Sequence, residues 1–149
     1  MVVQRDEPLQ RVPMSWEQYL KLPERPRAEW VNGVAVILNA PPTFDHGGAM
    51  VSLGSLLHAA LPELYVVAET YLRMSDDLVR LPDVMVTDTV PPDGWVSEPP
   101  LLVVEVLSPS TSDVDRREKL LNYQSLPSVQ AYLIVHQDQA VVERGEDVP

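Results

Sequence analysis

Cysteine is absent from this chain of 149 residues, which excludes a disulfide framework and any thiolate metal site and fits a reducing compartment. Long apolar runs are missing too: nothing approaches the roughly 18 residues of a membrane helix. The opening Met1-Val2-Val3-Gln4-Arg5-Asp6-Glu7 lacks the apolar core of a secretory signal. A cytoplasmic protein with no membrane partner is the expectation. Histidine forms no cluster and no HExxH pair, and no glycine-rich phosphate loop is written, since Gly47-Gly48 lies inside a helical pattern. Lysine is scarce. Of eleven basic residues only Lys21 and Lys119 are lysines. In a chain that otherwise uses arginine, a retained lysine points to a role for a compact charge with an adjustable pKa.

What is present is acidic. The net charge of −11 opposes bulk attraction to nucleic acid, whose binders usually carry a basic footprint. Divalent metal and a local cluster of cations would have to compensate. The 15 prolines fall mostly between periodic segments and read as rigid loops. No repeat or linker divides the chain, so residues 1–149 are expected to form one domain.

Residues 1–13 read as a loose lead-in. Ser15 and Gln18 form a capping box for a short helix, with Met14 stapling onto Tyr19. Asn32-Gly33 supplies a tight hairpin turn within 28–38. A helix is expected over 43–60, with His46, Met50, Leu53 and Leu57 on one face. Two β-rich runs, 64–72 and 79–87, flank Ser75-Asp76-Asp77. Residues 101–107 form the most apolar strand, and Pro109 ends it. Ser110-Thr111-Ser112 offers caps for a helix reaching about Ser125, with Val114 and Leu121 toward the core and Asp115, Lys119 and Asn122 on one flank. A final strand pair covers 129–135 and 140–144. This mixture suits one central sheet flanked by helices.

The chemistry concentrates at two acids. Leu101-Leu102-Val103-Val104-Glu105-Val106-Leu107 is apolar on both faces, as a doubly covered strand is. A carboxylate in its middle costs several kcal/mol to desolvate, so Glu105 calls for a functional reason, a buried Arg partner, or a wet edge. In Leu81-Pro82-Asp83-Val84-Met85-Val86, Pro82 belongs at a strand start and places Asp83 at its mouth. Two such acids on neighbouring strands make a hard-oxygen site suited to Mg²⁺ or Mn²⁺.

Leu81-Pro82-Asp83, then Val103-Val104-Glu105-Val106-Leu107-Ser108-Pro109-Ser110-Thr111, then Asp115, Lys119 and Tyr123 resemble the Uma family of the PD-(D/E)XK nuclease superfamily. Glu29 before an Asn-Gly hairpin, His46 early in a helix, and Val129-Gln130-Ala131-Tyr132-Leu133-Ile134-Val135 match in the same order. The likeness covers roughly residues 15–144. It implies a restriction-endonuclease-like α/β (α+β) fold with a central mixed β-sheet flanked by helices. It further implies a metal-dependent endodeoxyribonuclease, with Mg²⁺ or Mn²⁺ on Asp83, Glu105 and the Val106 carbonyl, and Lys119 completing the catalytic set. The implied partners are duplex DNA and a second copy of the chain. Relatives continue through further strands, so a truncated C-terminus is expected.

One departure matters. The superfamily lysine stands two residues after the glutamate, on the same strand face, and here that position is Leu107. The family places its lysine on the following helix, at Lys119. Lys119 also has an ordinary reading, as a surface pair with Asp115 one turn earlier. Glu29 reads equally as an accessory ligand or a hairpin charge, and His46 as an accessory group or a hydrogen-bonded core histidine. Two other functions are open: an inactive nuclease-fold module that binds a partner protein, and a carboxylate-pair glycosidase. Three Trp and one Phe supply few exposed rings for the latter.

Overall fold

The computed structural model describes residues 10–38, 43–95, 100–107, 113–136 and 142–144, with backbone alone at 113–115 and 142–144. In chain order the elements are β1 (Gln10–Pro13), α1 (Trp16–Tyr19), β2 (Arg27–Val31), β3 (Val34–Leu38), α2 (Phe44–Ala60), β4 (Tyr65–Ala68), β5 (Leu72–Ser75), β6 (Leu78–Arg80), β7 (Val84–Thr87), β8 (Leu102–Leu107), α3 (Asp113–Gln124), β9 (Ala131–His136) and β10 (Val142–Arg144). The expected central mixed sheet is β10-β9-β8-β7-β4, in which β8 and β9 run parallel and the other neighbours antiparallel. It is not alone. A second sheet, β1-β3-β2-β6-β5, is antiparallel throughout.

Local chemistry explains many element ends. Ser15 accepts the Gln18 N–H at 3.2 Å while the Gln18 side chain accepts the Ser15 N–H at 2.8 Å, so the capping box starts α1. Asn32 and Gly33 turn the β2–β3 hairpin with φ of 50° and 80°, the left-handed pair this turn requires. Thr43 caps α2 by accepting the His46 N–H at 3.2 Å, which settles the first turn and with it the position of His46.

Sheet faces follow the period of two. Val84, Val104 and Val106 pack under Met50, Leu53 and Leu57 of α2. Met85, Val103, Tyr132 and Ile134 pack under Leu120 and Tyr123 of α3, and Leu72 of β5 joins them. The central strand β8 is thus covered on both sides. The antiparallel sheet has its own core, in which Tyr19, Trp30 and Val79 are buried and Trp16, Tyr71 and Trp95 pack against them. Most aromatic rings are therefore internal.

The fold corrects several local expectations. Residues 10–13 are not lead-in but β1, because they pair with β3 in the register Gln10↔Ile37 to Pro13↔Val34; a partner so distant in sequence leaves no local signal. The two β-rich runs, 64–72 and 79–87, are replaced by four strands across 65–87, with β5 extending through Ser75 into the polar stretch between them. Glu69 at φ 49° turns the chain out of β4, and Pro82 separates β6 from β7, each strand of a pair entering a different sheet. The helical wheel of α3 is also rotated from expectation. Leu120 and Tyr123 are buried, whereas Leu121 is 66% exposed. Val114, Asp115 and the Ser110-Thr111-Ser112 caps lie outside the described side chains. Among the described residues, no helix is long and apolar enough to cross a membrane.

The α3 register is testable by denaturation. Leu120→Ala should cost about 2–5 kcal/mol, the range for a buried leucine, whereas Leu121→Ala should stay within about 0.5 kcal/mol. Equal losses would contradict the rotation seen here.

Candidate active site

The site is assembled where the chain crosses from one sheet to the other. In the antiparallel sheet, Trp30 pairs with Val79, so the next residues outward, Glu29 and Arg80, face each other across strands. Both are 2% exposed. Arg80 Nη1 donates to Glu29 Oε2 at 3.0 Å, and the Leu81 N–H donates to Glu29 Oε1 at 3.0 Å. Leu81-Pro82-Asp83 then carries the chain into β7. There Val84 pairs with Val104, which brings Asp83 beside Glu105.

Asp83 closes the end of that ladder. Its Oδ2 accepts the Val106 N–H at 2.6 Å, so a strand amide beyond the reach of β7 still has a partner. Its Oδ1 meets His46 Nε2 at 3.1 Å. That bond, aided by the Asp83 charge and opposed by burial, raises the His46 pKa above its ordinary value. His46 therefore ties the first turn of α2 to Asp83.

Glu105 shares a strand face with Val103 and Leu107, the face covered by α3. The Tyr123 hydroxyl donates to Glu105 Oε1 at 2.9 Å, and Lys119 Nζ lies 3.6 Å from the same oxygen. Lys119 Nζ also lies 3.6 Å from Glu29 Oε1. One ammonium thus stands between two buried carboxylates from different sheets. Burial raises the Glu105 pKa from 4.5 to about 8; Lys119 opposes the shift, while Asp83 and Glu29 add to it. At Glu29 burial also pushes upward, but Lys119 and Arg80 outweigh it and the net shift is downward. Burial, then Glu105, raises Tyr123 well above its ordinary pKa, so its hydroxyl remains a donor.

Asp83, Glu105, Lys119, Glu29, His46 and the backbone of Val106 are thereby gathered in one region, while the Asp115 side chain lies outside the described residues. Leu107, two residues after Glu105 on the same strand face, packs with the apolar cluster under α3. Arg80, Glu118 and Asn122 belong to the same network: Arg80 also bonds Glu118 Oε1 at 3.0 Å and Asn122 Oδ1 at 3.0 and 2.7 Å. Sequence reasoning passed over Arg80. The available signal was an arginine inside an apolar β-run, three residues before Asp83.

Among the described residues, no three His, Cys, Asp or Glu side chains form a group able to hold a metal alone. Two carboxylates nevertheless suit Mg²⁺, which commonly takes one or two protein carboxylates and fills its remaining positions with water and phosphate oxygens. Asp83 uses two of about four acceptor directions of a carboxylate, so it retains capacity. The mutual repulsion that helps raise Glu105 is what a bound cation would relieve.

The Uma2 family model, described as "Putative restriction endonuclease", matches residues 16–148. A solved structure from Anabaena variabilis ATCC 29413, described as "a putative nuclease belonging to DUF820", aligns with a TM-score of 0.72 at 19% identity. The alignment covers 91% of this chain and 82% of that one, and at such identity the likeness is one of fold. A search of curated proteins finds no match.

Because its pKa is raised on folding, Glu105 makes the native state bind more protons than the unfolded chain between pH 4.5 and about 8. Metal-free stability attributable to this group should therefore fall as pH rises through that window. Glu105→Gln preserves an acceptor for Tyr123 and removes the charge. In EDTA it should be as stable as the parent at pH 5 and more stable at pH 8, with a flatter pH dependence of Tm. A mutant less stable than the parent at pH 8 would mark Glu105 as a structural ion-pair partner.

Proposed function

Because the chain belongs to the Uma2 family, we propose that it is a divalent-metal-dependent endonuclease hydrolysing DNA phosphodiesters. The observation that carries this reading is the place of Lys119. Its ammonium lies 3.6 Å from Glu105, on a strand whose next residue donates to Asp83. Two acids and a lysine are the set that the superfamily motif assembles, here with the lysine borne on a helix.

In this reading Asp83, Glu105 and the Val106 carbonyl hold Mg²⁺ or Mn²⁺. When bound, the ion lowers the pKa of water and offsets charge on the phosphate. Glu29 and Glu105 flank Lys119 at 3.6 Å each, so its ammonium is held where it orients the attacking water and meets negative charge developing on the phosphate oxygens. His46 restrains Asp83, and Tyr123 restrains Glu105. Duplex DNA as substrate and a homodimer as the acting unit follow by analogy with the superfamily, and a cytoplasmic location accords with the cysteine-free composition.

One observation favours a different reading. A net charge of −11 repels DNA at long range, as would suit a nuclease-fold module that binds a partner protein and no longer cuts. Cleavage of supercoiled plasmid by pure protein, with and without Mg²⁺, separates the two.

Calorimetry with Mn²⁺ should show binding that Asp83→Asn weakens by about tenfold or more; unchanged affinity would remove Asp83 from the metal site. Lys119→Met retains the aliphatic stem, so folding and Mn²⁺ affinity should persist while plasmid cleavage drops by about 10²-fold or more. Lys119→Arg should also fail, since a planar guanidinium is larger and cannot occupy the place of a compact ammonium between the two glutamates. Parent-like cleavage by both variants would leave Lys119 with a helix-pair role only.

A further inference from the structure

A lysine carried on a strand is placed by the ladder itself, whereas a lysine on a helix is only as well placed as the helix. We propose that Arg80 is the positioning residue that fixes α3 in rotation and along its axis, and so sets Lys119 between Glu29 and Glu105. The inference rests on the reading of Lys119 given above and adds the means by which a helix-borne lysine is held.

The geometry is that of a fork. Of the Arg80 hydrogen bonds, one goes to Glu29 and three go to α3. Nε and Nη2 reach Asn122 Oδ1 at 3.0 and 2.7 Å, and Nη2 reaches Glu118 Oε1 at 3.0 Å. Neutralising Glu29 would not require the bonds to the helix, because Glu29 already has Lys119 and the Leu81 N–H. Glu118 and Asn122 lie one turn apart and bracket Lys119 in sequence. At about 100° per residue, Lys119 falls between the side of α3 that faces Arg80 and the side bearing Leu120 and Tyr123, which is buried against the sheet.

These two grips differ in kind. Apolar packing is non-directional and by itself tolerates small rotations. The planar guanidinium bonds along set directions, and Arg80 is itself held by β6 and by its cross-strand partner Glu29. A slip of α3 by one residue would shift Lys119 by about 1.5 Å and about 100°, enough to take its ammonium off both carboxylates.

Arg80 is too deeply buried for its removal to be separated from folding, so the test is made from the helix side on the full chain. Asn122→Ala removes the acceptor of two Arg80 bonds and leaves Arg80 with Glu29 and Glu118. Asn122→Asp restores an acceptor in the same place. The first readout is the order of the Lys119 ammonium by ¹⁵N NMR in metal-free protein, with exposed Lys21 as the mobile reference in a chain of two lysines. The second is Mg²⁺-dependent plasmid cleavage.

Asn122→Ala should loosen Lys119 toward the behaviour of Lys21 and lower kcat by about 10–100-fold, with KM unchanged. Asn122→Asp should restore both. In a Lys119→Met background, Asn122→Ala should cost no further rate, since its effect passes through Lys119. A Lys119 signal as ordered in Asn122→Ala as in the parent overturns the proposal, as do rate losses that multiply in the double mutant. A parent that does not cut, but whose Lys119 order responds to Asn122→Ala and recovers in Asn122→Asp, upholds the positioning role and overturns the nuclease reading alone.

Discussion

Two glutamates inside the protein set the terms for everything around them. Glu29 and Glu105 are both buried, and an uncompensated carboxylate there would cost several kcal/mol. Compensation is unequal. Glu29 receives a guanidinium, an ammonium and a backbone N–H, and its pKa falls. Glu105 receives the shared ammonium and a phenol, and its pKa rises to about 8. The protein thus holds one acid fully neutralised and leaves the other short of positive charge. An acid left in that condition beside Asp83 has an electrostatic reason to accept a cation.

The crossing from β6 to β7 makes this arrangement possible. Within four residues the chain supplies Arg80 to the antiparallel sheet and Asp83 to the mixed one, with Pro82 ending one ladder before the next begins. Glu29 arrives by cross-strand pairing from one side and Glu105 from the other. The two sheets are joined at the site by salt bridges and at its flank by Leu72, which lies in the cluster under α3. Hydrophobic burial holds the layers together, and directional polar contacts determine where the charges end up within them.

That division also bears on Leu107. An apolar residue at position 107 lets α3 pack on the strand face that bears Glu105, and α3 brings the Lys119 ammonium to 3.6 Å from that acid. The placement of Lys119 then depends on how the helix docks, and there a guanidinium fork supplies direction that leucine and tyrosine contacts lack.

Much of this was legible in the chain itself. An apolar run interrupted only by Glu105 announced a central strand carrying a candidate site, because burial of charge has few innocent explanations. Pro82-Asp83 marked a strand mouth, and Ser15 and Asn32-Gly33 marked a helix start and a turn through their own hydrogen bonds and backbone preferences. These signals act within a few residues, and so they survive in sequence. The pairing of residues 10–13 with β3, the division of the β-rich stretches between two sheets, and the burial of Leu120 rather than Leu121 depend on partners far along the chain. Arg80 was invisible for the same reason. A buried cation is intelligible only beside its acids, and tertiary structure alone brought Glu29, Glu118 and Asn122 to it.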